Sequence, residues 1–308
     1  MSTAFAADRR DVTRSARSSR LTGWSGRSLI GLVLAGATLF FVIPLLWLLI
    51  AVTKTEHELA VRSPFALGSW DTFKANVQQL FEFQSGAVVG WVGNSALYAF
   101  AALVITLVIS IPAGYALALT EFRFRRLLMV TTLVVMLMPN TALVLPVFLE
   151  MNQVGLVGHA LAVILPFSFY PFGVYLTYIY FSTSIPRTLL AAARLDGCSE
   201  VQVFTRIALP LATPVVALVA FFSFVQNWNN YFLPFVMLPS SDSYPMQVGL
   251  STLLSATPAF NPSSAGADSV HLPALALATV VSMLPVLLLF LFSQRFLVAG
   301  MTAGGLKE

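Results

Sequence analysis

Residues 94–119 read NSALYAFAALVITLVISIPAGYALAL, with no Asp, Glu, Lys, Arg or His among them. A bilayer hydrocarbon core roughly 30 Å thick needs about 20 apolar residues of helix to cross it, and this run is long enough. Working outward, five more stretches meet the same length: 29–52, 127–149, 160–181, 211–238 and 272–293. None of the six contains an ionisable Asp, Glu, Lys, Arg or His. Each such charge at a span centre would cost about 2.5–3.5 kcal/mol. Over all 308 residues, 57% are hydrophobic and 10% charged, where a soluble domain carries about 25% charged residues. A soluble protein would have to bury all six runs in one core. The expected fold is therefore an all-α membrane protein with about six transmembrane helices.

Charge placement predicts its orientation. Of the 17 Lys and Arg residues, only Lys54, Arg62 and Lys74 fall on one side of a six-span topology. The other side collects Arg9, Arg10, Arg14, Arg17, Arg20 and Arg27 before the first span. It also collects Arg123, Arg125 and Arg126 after the second, Arg187, Arg194 and Arg206 after the fourth, and Arg295 and Lys307 at the end. The positive-inside rule makes this side cytoplasmic, with both termini inside. The net charge of +4 is then a topology signal, and no nucleic-acid partner is needed to explain it. Residues 1–28, rich in Ser and Arg, are expected to be a disordered basic cytoplasmic tail, preceding a transmembrane domain over 29–308. The apolar run after Arg27 is too long for a secretory signal core, which spans about 7–15 residues. The single cysteine, Cys198, allows no intrachain disulfide and suggests no thiolate metal site.

Prolines recur within the spans, at Pro44, Pro112, Pro139, Pro146, Pro166, Pro171, Pro234 and Pro285. In water an interior proline costs a helix about 3 kcal/mol; membrane helices tolerate it where neighbours re-satisfy the freed carbonyls. Ordinary kinked packing accounts for any one of them, and the set suits a bundle of bent helices around a cavity. The outer segments are 53–93, where short interfacial helices are expected, 150–159, and 239–271, rich in Ser, Pro, Gly and Ala.

The cytoplasmic stretch 182–214 reads STSIPRTLLAAARLDGCSEVQVFTRIALPLATP. Ser184 is placed to cap a helix with Pro186 in its first turn, and 188–195 is a helix-forming run. Gly197 suits a helix stop because it adopts positive φ freely. Ser199 and Gln202 have the spacing of a capping box for a second helix. The expectation is a helix–turn–helix over 182–210.

This stretch resembles the EAA loop of ABC importer permeases. Ala192, Ala193, Gly197, Ile207, Leu209 and Pro210 match the general pattern, and Ile185-Pro186-Arg187 and Arg194-Leu195-Asp196 fit its sugar-importer form. Ala191 stands where the family has Glu, a residue that helps seat the loop on the ATPase; Ala keeps the helix, being the better helix former. The resemblance covers about 29–308. It includes Asn94-Ser95, Ala113 to Ala118 followed by Phe122 to Arg126, and Met138-Pro139-Asn140. It continues through Asn152 to Leu156 and Gln226 to Phe232, and ends on Gly300 to Lys307. It implies the transmembrane subunit of an ATP-driven sugar importer of the maltose type, multi-pass in a bacterial or archaeal cytoplasmic membrane. Implied partners are a second, different permease chain, two ATPase subunits, an extracytoplasmic sugar-binding protein and the lipid bilayer. The coupling residues it implies are Arg187, Ala191, Ala192, Ala193, Arg194, Asp196, Gly197 and Pro210. The chain has no GxxxxGK[ST] phosphate loop. It is expected to bind no cofactor itself, with ATP and Mg held by the partner ATPase.

Within the fifth run, Ser223, Gln226, Asn227 and Asn230 have i, i+3, i+4, i+7 spacing and would share one helix face. Phe224, Trp228, Tyr231 and Phe235 follow on an adjacent face. Amides beside aromatic rings offer hydrogen bonds to hydroxyls and flat surface to sugar C–H faces. Ser223, Gln226, Asn227, Trp228, Asn230 and Tyr231 are therefore the candidate path residues, and hydrogen bonding between helices is the competing use. His57, His159 and His271 are dispersed and suggest no metal site. Glu150, at the outer end of the third span, reads as a gate residue or a solvated interfacial carboxylate. An ion-coupled transporter or channel would usually need ionisable groups inside its spans, although a sodium site of carbonyls and hydroxyls stays compatible. An embedded enzyme would need a nucleophile–base pair or metal ligands at depth; neither is present in the runs above, and no catalytic residue is expected.

Overall fold

A computed structural model describes residues 29–266 and 269–302, the stretch 295–302 by its backbone alone. The tail expected at 1–28 and the ending at 303–308 lie outside the described residues. Two units divide at Phe73 and Lys74.

The first unit holds α1 (Leu29–Ala51), α2 (Glu56–Val61) and the start of α3 (Trp70–Glu82). Most of α1 is exposed, as suits an apolar helix surrounded by lipid. Thr55 and Glu58 close a capping box at the start of α2. Lys54 is fully buried, and its Nζ donates to the carbonyls of Ser63 at 2.8 Å and Pro64 at 3.1 Å, so the charge is compensated by backbone oxygens.

The second unit is built around α4 (Ala87–Leu119), followed by α5 (Arg125–Met136), α6 (Asn140–Gln153), α7 (Leu161–Ser168) and α8 (Pro171–Ser184). Then come α9 (Arg187–Leu195), α10 (Glu200–Val203), a π turn over Phe204–Ala208, α11 (Leu209–Leu211) and α12 (Thr213–Trp228). It ends with α13 (Phe232–Met237), α14 (Met246–Ser255) and α15 (Leu272–Thr302). Among the described residues four helical segments are long and apolar enough to cross a membrane: α1, α4, the 161–184 pair and α15. Counting each of two bent pairs as one span, α5–α6 at 108° and the 200–211 segment with α12 at 77°, gives up to six. Each expected run overlaps one of these segments, but the fifth, 211–238, runs past the end of α12 at Trp228 into the separate helix α13. The second begins at Ala87 rather than at Asn94.

The bends follow from proline and from rescue by neighbours. Pro139 caps α6 with extended backbone and disfavours helix in the residue before it, so the third run is two helices, not one. Between α7 and α8 the helix opens at Phe169 and Tyr170. There the Ser168 carbonyl accepts a 3.0 Å bond from Thr106 Oγ1 on α4, the substitution of partners that makes a break tolerable at depth. Helices α4 and α8 meet closely at Gly114, where a Cβ would lie 2.5 Å from Thr177 Cβ.

The segment 239–271, anticipated as a loop, instead folds back as α14 and packs on α4 and α15. Four α4 side chains on one helical face receive it. Trp91 Nε1 donates to Ser241 O at 3.0 Å, Asn94 Nδ2 to Asp242 O at 2.7 Å, and Tyr98 OH to Ser243 O at 2.9 Å. Ser95 Oγ accepts from Met246 N at 2.7 Å. Gly249 of α14 then lies flat on the Trp91 ring.

Candidate functional site

The first candidate is the helix–turn–helix between α8 and α12. Helix α9 starts at Arg187 behind Pro186, which has no side-chain cap to offer; Ser184 is the last residue of α8 and not a cap, a correction to the expected start. At the other end the expectation holds. Gly197 has φ +85°, its N–H bonds Arg194 O at 3.1 Å, and Cys198 N bonds Ala193 O at 3.0 Å. These two bonds are the Schellman closure. Asp196 is the C-cap. Ser199 and Gln202 then form the capping box that opens α10.

One face of this unit is core. Leu190 and Ala193 of α9, Val203 and Ala208 pack with Ile111, Tyr115 and Ala118 of α4 and with Phe181 of α8. The other face is open: Arg187, Ala191, Ala192, Arg194, Asp196, Gly197 and Pro210 are all exposed, and Leu195 is 90% exposed. Sequence reading missed two residues here. Glu200 receives a two-pronged ion pair from Arg194, Nε to Oε1 at 2.6 Å and Nη2 to Oε2 at 3.2 Å. Tyr115 of α4 donates to Glu200 Oε2 at 3.4 Å. The opposite charges six positions apart, bracketing Gly197, were the available signal.

The Arg194 hydrogen bond outweighs the opposing effect of burial and holds the Glu200 carboxyl below its ordinary value. A depressed carboxyl pKa contributes stability above its unfolded value and loses it as pH falls through the folded value. With both side chains more than a third exposed, that contribution is at most about 1 kcal/mol.

The second candidate is the break after α12. The helix ends at Trp228, so Ser223, Gln226 and Asn227 share a helical face while Asn230 lies beyond the helix. The i+7 relation expected for Asn230 does not hold. Ser223 is buried, and Asn227 Nδ2 donates to its carbonyl at 2.8 Å. Trp228 is buried, stacks on Phe224 and donates from Nε1 to Ser282 O of α15 at 2.9 Å. Tyr231 lies at the surface, stacked on Phe235 and 3.3 Å from Ser251 Oγ. The Asn230 Nδ2 atom is buried with no hydrogen-bond partner. Gln226 lines a cavity of about 640 Å³, with Asn140 and Glu150 of α6, Tyr170 and Phe172. Glu150 thus sits on the cavity wall. Among the described residues no three His, Cys, Asp or Glu side chains are grouped to hold a metal.

Bent apolar helices around a central one, with an amphipathic helix–turn–helix fused to their ends, define a multi-pass helical transport subunit. Residues 110–303 match the family described as binding-protein-dependent transport system inner membrane component. The chain is 34% identical over 271 residues to the arabinooligosaccharides transport system permease protein AraQ of Halalkalibacterium halodurans, covering 86% of this chain and 91% of that one. It is 29% identical to the lactose transport system permease protein LacG of Rhizobium radiobacter, covering 87% and 92%. A crystal structure of a bacterial ABC transporter involved in the import of the acidic polysaccharide alginate has a chain of the same fold. It gives a TM-score of 0.75 at 24% identity and covers 91% of this chain and 98% of that one. The chain belongs to the binding-protein-dependent inner-membrane permease family: it is a permease subunit of an ABC importer, not an enzyme, and an ion-coupled transporter is not favoured.

Proposed function

We propose that this chain forms half of the translocation path for a carbohydrate across a bacterial or archaeal cytoplasmic membrane, with both termini inside. Its helix–turn–helix docks on a separate ATPase. The observation that carries the reading is the two-faced character of α9: one face is continuous with the core of α4 and α8, the other is open. A helix so built passes on a push from a partner. The second permease is a different chain, two ATPase subunits hold ATP and Mg, and an extracytoplasmic binding protein delivers the cargo. Carbohydrate is favoured by the relatives' cargoes, arabinooligosaccharides and lactose, and by the amide and aromatic groups near the cavity. In this reading Gln226, on the cavity wall, faces the path, Asn230 and Tyr231 extend it past the end of α12, and Ser223, Asn227 and Trp228 hold that face in place.

The test is co-purification of the detergent-solubilised chain with an ATPase subunit, followed by ATP-dependent uptake of arabinotriose, lactose and maltose into proteoliposomes of the complex. An ATPase in the complex and uptake of any of these sugars supports the reading; a stably folded chain with no ATPase sinks it. Gln226→Ala, Asn227→Ala and Asn230→Ala are each expected to lower uptake about tenfold with assembly kept, the loss of one hydrogen-bonding group. Wild-type uptake by all three variants would remove the path assignment.

A further inference from the structure

We infer that Tyr115 and Glu200 are positioning residues that latch the helix–turn–helix to the second span, so that displacement of α9 is delivered to α4. The inference rests on the proposed docking of α9 to an ATPase.

Three observations meet at one carboxylate. Arg194 stands in the last turn of α9 and Glu200 in the first turn of α10, on opposite sides of the Gly197 turn. Their two-pronged pair therefore fixes the angle between the two short helices, which the turn alone leaves to a few backbone bonds. The second Glu200 oxygen, held by Arg194 Nη2, is also the one Tyr115 reaches from α4. The Tyr115 ring is only 5% exposed, packed edge-on against Phe181 of α8 at 5.4 Å and at a tilt against Phe204 of the π turn at 5.0 Å. Its hydroxyl is thus delivered by a ring that has little freedom to swing.

The apolar packing of Leu190, Ala193 and Val203 on α4 also joins the two parts, but such packing is non-directional and permits sliding. The hydroxyl–carboxylate contact is a long hydrogen bond at 3.4 Å, but unlike apolar packing it is directional. It sets the register of the loop along α4, and a push on α9 moves the span rather than slipping over it. Helix α4 continues over 33 residues, through Pro112, so motion at its Tyr115 end is carried toward its Val89 end. Of the other loop residues, Arg187, Ala191 and Ala192 are exposed, away from α4's core contacts, and Asp196 caps its own helix.

The experiment uses the intact co-purified transporter. Cys198→Ser removes the native thiol, and Val89→Cys, on a 60% exposed position at the far end of α4, carries a bimane label. The readout is the fluorescence change on trapping with ATP and vanadate, with ATP hydrolysis followed in parallel. Tyr115→Phe removes only the hydroxyl and keeps the ring between Phe181 and Phe204. It and Glu200→Ala are each expected to cut the label's response about threefold per ATP hydrolysed, the scale of one exposed charged pair. Because both break the same link, the double variant should fall no further than the weaker single variant, where independent structural damage would multiply. A full response in Tyr115→Phe, or multiplying effects in the double variant, overturns the latch while leaving ATPase docking in place. A wild-type complex that contains no ATPase overturns the docking reading itself, and the latch with it. A wild-type complex that hydrolyses ATP without any response at position 89 shows that α4 does not move, and overturns the latch alone.

Discussion

Gly197→Pro is expected to abolish recovery of the ATPase with the solubilised chain, by tenfold or more, while the spans remain inserted. Gly197 sits at φ +85°, whereas proline is held near −65°. Proline also lacks the N–H that bonds Arg194 O at 3.1 Å. Both halves of the turn fail together, at a cost of about 3 kcal/mol or more. That exceeds the roughly 1 kcal/mol available from the Arg194–Glu200 pair to hold the helices in place. Space is not the issue, since a Cβ at 197 would meet nothing within 4 Å. The substitutions should therefore rank by backbone preference alone. Gly197→Asn, which tolerates the left-handed region, should retain most docking; Gly197→Ala, strained by about 1–2 kcal/mol, should be intermediate; proline should be worst. Equal ATPase recovery from wild type and Gly197→Pro would show that the turn plays no part in docking.

Gly249→Ala is the second large effect, and its cause is steric. A Cβ there would lie 2.1 Å from Trp91 Cε3 and 2.3 Å from Cδ2. The Trp91 ring is 1% exposed and tethered through Nε1 to Ser241 O, so it has nowhere to turn. Alanine would favour helix α14 by about 1 kcal/mol. Overpacking a tight contact costs about 1–3 kcal/mol and sometimes more, and with a tethered ring the upper end applies. The net expectation is a loss of about 2 kcal/mol, read by denaturant titration in detergent. Gly36→Ala on α1 is the control, since a Cβ there meets nothing within 4 Å. In a Trp91→Leu background the penalty at 249 should largely vanish. Its persistence there would mean the ring is not what resists the Cβ.

Local sequence carried a good deal of this. The apolar runs located every candidate span, because length and the absence of charge are properties of the chain itself. The loop was legible almost residue by residue. A Schellman turn at Gly197 and a capping box at Ser199 and Gln202 involve groups within six positions of one another, and the residue types that can make them are few. The start of α9 was misplaced because Ser184 can serve as a cap or continue a helix, and the packing of α8 decided for the second.

The rest is set by contacts between groups far apart in the chain. The family resemblance marked Asn94-Ser95, yet nothing local says that these side chains bind backbone about 150 positions away and fold 239–271 back as α14. The Asn230 position was lost for a similar reason: seven-residue spacing presumes an unbroken helix, and whether a membrane helix continues depends on neighbours that can receive its freed backbone groups. Sequence by itself determined that the chain crosses a membrane in apolar helices and where a capped turn joins two of its short helices. Tertiary structure alone decided which polar groups meet across those helices, including Tyr115 with Glu200. The physical reason is that burial and capping are settled within a few residues, whereas the partner of a side chain in a packed bundle is chosen by how whole helices lie against one another.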